Sequence, residues 1–161
     1  MTDVKRGTWF AIAWAVGTGA LGMGLSALGG VDLIVEWYLA LRKPWFQPPA
    51  WVFGPAWSII FALSAWAFVR AWRAAPMGGR TALVWAYVIN GVLNAGWSVL
   101  FFGMRSIELA LLEVGPLWLS VLAMLLIAGR HDRMAGWLLL PYLLWVGFAA
   151  VLNFALWQLN G

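Results

Sequence analysis

From Gly7 to Val31 the chain runs for 25 residues without a charge, and comparable runs extend from Pro44 to Val69, from Thr81 to Met104 and from Met134 to Gly161. A fifth run, Ser106 to Gly129, holds only Glu108 and Glu113. A bilayer core about 30 Å thick takes roughly 20 apolar residues of helix, and each run meets that length. The pattern predicts an all-α membrane protein, a bundle of five transmembrane helices at about 8–28, 51–72, 81–102, 107–129 and 135–158. A transmembrane barrel would alternate apolar and polar residues in segments of about ten. These runs are apolar on every side. Lys5 and Arg6 ahead of an apolar stretch resemble a signal peptide, but the stretch is long enough to span rather than to be cleaved.

Composition supports the same class, with 64% hydrophobic and 10% charged residues. A soluble domain is about 45–50% apolar and about 25% charged, so a soluble fold could not hide this much apolar surface. The net charge of +4 sits as single or paired basic residues between apolar runs, a pattern of membrane flanks rather than of nucleic-acid binding. Cysteine is absent, which excludes disulfides, thiolate metal sites and cysteine nucleophiles. The single histidine, His131, lies in the charged cluster Arg130-His131-Asp132-Arg133, and no metal site is expected there.

The N-terminus and the loops near 73–80 and 130–133 carry Lys5, Arg6, Arg70, Arg73, Arg80, Arg130 and Arg133, against Arg42, Lys43 and Arg105 on the other side. That bias places the N-terminus in the cytoplasm of a bacterial-type envelope. Short connections after the second, third and fourth spans predict that consecutive helices pack as antiparallel neighbours. The first connection, 29–50, is longer and holds Trp37, Tyr38, Arg42, Lys43, Pro44, Pro48 and Pro49. Loops of this length are usually functional. Its first half suits a short helix with Asp32 near its start, and its prolines force a stiff, extended second half. The whole, residues 1–161, reads as one domain with this loop as a lid.

Glu113 lies well inside the fourth span, where a carboxylate is costly and should face the bundle interior or a partner. Glu108, nearer the helix start, suits the helix dipole. Asn90 and Asn94 share one face of the third span, which Trp97 extends, and Asn153 and Gln158 add polarity to the fifth. These amides serve either as links between helices or as pocket contacts. Glycines from Gly17 to Gly24 allow close approach, as do Gly91 and Ala95, which suit packing within the chain or a dimer face. Pro116 and Pro141 are expected to kink their helices. Of the 14 tryptophans, Trp9, Trp37, Trp51, Trp72, Trp137 and Trp157 fall at span ends. Trp14, Trp57, Trp66, Trp85, Trp97, Trp118 and Trp145 fall deeper. Leucine fills a membrane interior with no N–H to satisfy, so the deep set points to an aromatic-lined cavity for a large flat ligand, beside tryptophans that only pack or face lipid.

The segment Trp37-Tyr38-Leu39-Ala40-Leu41-Arg42-Lys43-Pro44-Trp45-Phe46-Gln47-Pro48-Pro49 resembles the translocator protein family, also called tryptophan-rich sensory proteins. The resemblance continues from Trp51 to Phe61, from Asn94 to Gly103, and through Pro141-Tyr142-Leu143-Leu144-Trp145 to Leu152-Asn153. It implies a five-helix bundle, often dimeric, that binds porphyrins such as protoporphyrin IX under the first loop. It also implies a pocket of Trp37, Tyr38, Pro48, Pro49, Trp57, Asn94, Trp97, Tyr142, Trp145 and Ala149. Trp57 and Trp145 match the tryptophans tied to light-dependent porphyrin degradation in bacterial members. Two departures stand out: Phe46 occupies the place of the loop tryptophan, and Phe154 replaces the tyrosine of a sterol-type motif that here lacks its basic residue.

The reading that follows is a membrane receptor or sensor for tetrapyrroles, with porphyrin as ligand and no obligatory cofactor or metal. Its rivals are a transporter of porphyrins or other lipophiles such as sterols, with Glu113 as a proton-coupling group, and a photo-oxidative enzyme. No inverted repeat argues for the first, and no nucleophile–base pair or phosphate loop argues for conventional catalysis.

Overall fold

A computed structural model describes residues 2–27 and 30–161. The expected end of the first span at 28 and start of the loop at 29 fall outside them. Helix α1 covers Thr2–Ala27, the short α2 Val31–Ala40, α3 Ala50–Ala74, α4 Met77–Ser98, α5 Ile107–His131 and α6 Arg133–Asn160. A single π-helical turn, Val99–Gly103, extends α4. The long helices overrun the predicted spans by a few residues at most ends, since polar flanks continue the helix beyond the apolar run. Among the described residues, α3, α4 with its π turn, α5 and α6 are long and apolar enough to cross a membrane. Helix α1 is equally long, but glycine, threonine and three charges near its start thin its apolar content.

The five long helices close into a ring in the order α1, α4, α5, α6, α3. Consecutive helices are neighbours for α4–α5 and α5–α6, as expected, but α3 and α4 hardly touch despite the two-residue link at Ala75 and Pro76. Helix α1 stands between them. Its small residues let it enter: a Cβ on Gly91 of α4 would lie 2.9 Å from Thr18 Oγ1, and one on Gly22 would lie 3.1 Å from Ser98 Oγ. Trp14 Nε1 donates to the Tyr87 carbonyl at 2.6 Å, and the constant offset of these pairs shows α1 and α4 running parallel. Gly91 and Ala95 therefore pack within the chain. Tyr87 reaches past them to donate to the Ser64 carbonyl of α3 at 2.9 Å.

At the end away from α2, Trp72 Nε1 donates to the Asp3 carbonyl at 3.1 Å, and Arg80 both stacks on Trp72 and pairs with the Asp3 carboxylate. Asp132 ends α5 and caps α6, accepting from the amides of Met134 and Ala135 at 2.8 and 3.2 Å, and pairs with Arg70 of α3 at 2.8 Å. At the other end the π turn closes with Met104 N–H bonded to the Val99 carbonyl and Ser106 N–H to that of Leu100. Arg105 takes a left-handed φ of 53° inside the second of these closures. Helices α3, α5 and α6 continue through Pro55, Pro116 and Pro141, so each proline is accommodated inside its helix.

Candidate functional site

Gly30, with φ of 89°, turns the chain into α2, a conformation open to glycine and strained for other residues. Asp32 lies in the first turn of this short helix, as the sequence suggested, and Gly30 takes the cap position. None of its residues is buried, so α2 lies on the bundle rather than in it. After it, Gln47 N–H bonds back to the Pro44 carbonyl at 3.0 Å, forming one turn in an otherwise extended stretch, and Pro49 leads into α3. The Asn160 side chain holds the lid to the end of α6: Arg42 N–H donates to its Oδ1 at 2.8 Å, and its Nδ2 donates to the Arg42 carbonyl at 2.9 Å. Gln47 Nε2 donates to the Tyr38 hydroxyl at 3.0 Å, and the Lys43 ammonium sits 4.8 Å from the centre of the Tyr38 ring. Burial raises the Tyr38 phenol above its ordinary value, with the Gln47 hydrogen bond pulling the other way, so the hydroxyl stays neutral. Two net hydrogen bonds stabilise by about 1–2 kcal/mol. Asn160→Ala should therefore raise amide exchange across 37–47 roughly tenfold and leave α5 unchanged; equal protection in both proteins would show the clamp to be idle.

Beneath the lid the helices present rings. Trp37 meets Phe101 edge-on at 5.4 Å, Phe101 stacks on Trp97 at 5.0 Å, and Tyr38 leans on Phe102 at 6.0 Å. On the other flank Phe46 reaches Phe148, Phe148 touches Trp145 at 5.8 Å, and Trp145 meets Phe53 at 5.8 Å. Deeper, Trp57 stacks on Phe61 at 5.4 Å and lies edge-on to Tyr142 at 5.9 Å. Each such pair adds about 0.5–1.5 kcal/mol beyond area burial.

Asn94 Nδ2 donates to the Tyr142 hydroxyl at 2.8 Å, and that hydroxyl donates to Asn90 Oδ1 at 3.1 Å. Asn90 Nδ2 donates to Ser120 Oγ at 2.9 Å, and Ser120 donates to the Leu117 carbonyl at 2.7 Å. This chain ties α4, α6 and α5 together, and it places Asn94 and Tyr142 in an interhelical link. Asn153 Nδ2 donates to the Ile107 carbonyl at 2.9 Å. The two Glu113 carboxylate oxygens are shielded from solvent with no hydrogen-bond partner among the described residues.

Of the ten residues proposed from sequence, Trp37, Tyr38, Trp97 and Trp145 share the aromatic zone under the lid, and Trp57 and Tyr142 lie just below it. Pro48 is half-buried at the lid's end, Pro49 is exposed, and Ala149 is half-buried one turn beyond Trp145. Rings in mutual contact line this zone. Two open grooves, of about 610 and 500 Å³, lie instead on the outside of the bundle, along α1–α4 and α5–α6, and none of the ten lines either. Trp66 and Trp85 are 55% and 59% exposed on outward faces, so those two deep tryptophans point away from the bundle interior, and Trp14 packs α1. Phe53, Phe101, Phe102, Phe148, Gln47 and Asn160 were not anticipated. The π turn that aims Phe101 and Phe102 leaves no mark in an unbroken apolar run, and Asn160 is an ordinary amide near a chain end.

Comparison with known proteins accounts for the shared motifs. The model of the TspO/MBR family matches residues 9–158. The chain is 37% identical over 128 residues to the tryptophan-rich protein TspO of Chlorobaculum tepidum, covering 77% of this chain and 79% of that one. It is 38% identical over 125 residues to the tryptophan-rich sensory protein of Cereibacter sphaeroides, with 78% and 77% covered. It is 32% identical over 130 residues to the translocator protein of Homo sapiens, with 78% and 76% covered. A bundle of apolar helices under an aromatic lid, matched by the family model from Trp9 to Gln158, makes this chain a member of the TspO/MBR family.

Proposed function

We propose that this chain is an integral membrane receptor or sensor that binds a flat lipophilic tetrapyrrole, such as protoporphyrin IX, between the α2 lid and the bundle. The observation that carries the reading is a lid with no buried residue of its own, laid over rings from α3, α4 and α6. A wide π-face can replace ring–ring contacts with stacking of the same kind. The ligand enters by lifting the lid and passing between the rings. Arg42 and Lys43, both exposed at the rim, are placed to meet propionate groups.

In the membrane, α1 serves as the fifth span. Its exposed Trp9, Ile12, Val16, Leu21 and Met23 give it an outer face suited to lipid, and the charge bias sets the N-terminus on the cytoplasmic side of a bacterial envelope. The bound porphyrin absorbs the light and dissolved dioxygen is the oxidant, with Trp57 and Trp145 as the oxidisable side chains beside the ligand. Tryptophan fluorescence of the solubilised protein should be quenched saturably by protoporphyrin IX in darkness, and porphyrin absorbance should fall on illumination. The double variant Trp57→Phe, Trp145→Phe should keep binding yet lose most of the light-dependent change. Quenching that never saturates would refute the binding site; undiminished photodegradation in the variant would refute the residue roles alone.

A further inference from the structure

We propose that the outer face of α3 and α6, at the end of the bundle away from the lid, binds the headgroup of an anionic phospholipid such as phosphatidylglycerol. This face lies at the opposite end of the molecule from the tetrapyrrole zone and does not depend on it.

Helix register sets two matching pairs of side chains beside each other. Phe53 meets Trp145 toward the lid, and Arg70 pairs with Asp132 at 2.8 Å at the other end, so α3 and α6 pack antiparallel. Asp132 directly precedes Arg133, the first residue of α6, so Arg70 and Arg133 stand at one level. Four residues toward the lid, about 6 Å along each helix, come Trp66 on α3 and Trp137 on α6. Both tryptophans are more than half exposed. The spacing puts each on the same face as its arginine, and Arg73, one turn past Arg70, extends that face on α3. Arg73 and Arg133 are exposed.

Both helices are long and apolar enough to cross a bilayer, so at this level their last apolar turn meets the headgroups. Indole rings settle at that boundary. A lipid phosphate lies on its water side, where guanidinium groups take phosphate oxygens in pairs. Charge then selects the lipid. Of the six acidic residues, only Asp3 and Asp132 lie at this end. Asp132 accepts from the Met134 and Ala135 amides and from Arg70, and Asp3 pairs with Arg80. A choline or ethanolamine ammonium therefore meets no open carboxylate. Among the described residues no carboxylate pairs with Arg73 or Arg133, so both are available to a net negative headgroup.

Native mass spectrometry of the full-length protein in detergent, titrated with phosphatidylglycerol or phosphatidylcholine, reads each affinity. A surface cation strengthens binding of an anionic lipid about fivefold, so two should favour phosphatidylglycerol about twentyfold. Arg73→Gln with Arg133→Gln should bring that ratio close to one. Lys5→Gln with Arg6→Gln removes the same charge from the same end, on α1 alone, and should leave the ratio nearly as it was. Trp66→Leu with Trp137→Leu should weaken both lipids together. Equal binding of the two lipids to the unmodified protein overturns the site. An equal loss in the two charge variants also overturns it, leaving only the diffuse field of a basic membrane flank. Displacement of phosphatidylglycerol by soluble glycerol phosphate would show a free-anion site and overturn the lipid assignment.

Discussion

Replacing Tyr142 by phenylalanine should destabilise the protein by about 3 kcal/mol, far more than loss of one hydroxyl in a membrane helix ordinarily costs. An interhelical hydrogen bond in a bilayer averages about 0.6 kcal/mol, because the separated helices find other partners. The Tyr142 hydroxyl is a different case, since it accepts from Asn94 and donates to Asn90 while fully buried. Its removal strands an amide N–H on one asparagine and a carbonyl on the other, and each buried group left unpaired costs about 1–3 kcal/mol. Unfolding in mixed micelles of rising denaturing-detergent content would measure this, with Trp57→Phe as a control of similar location. A loss below about 1 kcal/mol for Tyr142→Phe would mean that the asparagines re-pair or that water enters, and that the chain of bonds is not a structural link. The distinction affects how ligand data are read. Tyr142 was placed in the pocket by family resemblance, yet its hydroxyl is spent on α4, so weaker porphyrin binding in this variant should follow the unfolded fraction.

The number of long helices, their boundaries within a few residues, and the lid with its short helix were legible in charge-free runs and in the proline-rich segment after Lys43. The motif from Trp37 to Pro49 pointed to the family that the comparisons support. The arrangement of the helices was not legible, because lipid is as apolar as a protein core and hydropathy cannot distinguish a packed face from a lipid face. Trp66 and Trp85 illustrate the loss: nothing in their spacing separates them from Trp57 or Trp97, yet they point outward. Short links likewise suggested that α3 and α4 are neighbours, whereas α1 separates them. The decisive signal was the small residues: Gly22 and Gly91 mark where α1 and α4 touch, and that signal becomes specific only once each glycine's partner is known. The candidate site divides the same way. Aromatic residue types gave its location, but the pairings that line it depend on a π turn and an amide clamp that carry no pattern in the sequence.

Two glycines that look alike in the sequence should respond oppositely to the same substitution. Gly129 and Gly136 face each other where α5 and α6 leave the turn at Asp132 and begin to pack. A Cβ on Gly136 would lie 3.1 Å from the Gly129 Cα and 3.4 Å from the Leu125 carbonyl oxygen, both backbone atoms that no rotamer change can move. A Cβ on Gly129 would lie 3.6 Å from the Gly136 Cα, an ordinary contact. Alanine has the higher helix propensity by about 1 kcal/mol, so Gly129→Ala should be neutral or stabilising. Gly136→Ala must push the two helices apart at their closest point, where overpacking costs about 1–3 kcal/mol and outweighs the propensity gain. Gly136→Leu should raise the cost further and loosen the Arg70–Asp132 pair, which spans the same end of the bundle. Thermal inactivation of the three variants in one detergent would rank them. Gly136→Ala as stable as Gly129→Ala would mean that the α5–α6 crossing is wider than its glycines indicate, and that close backbone approach is not what holds this pair together.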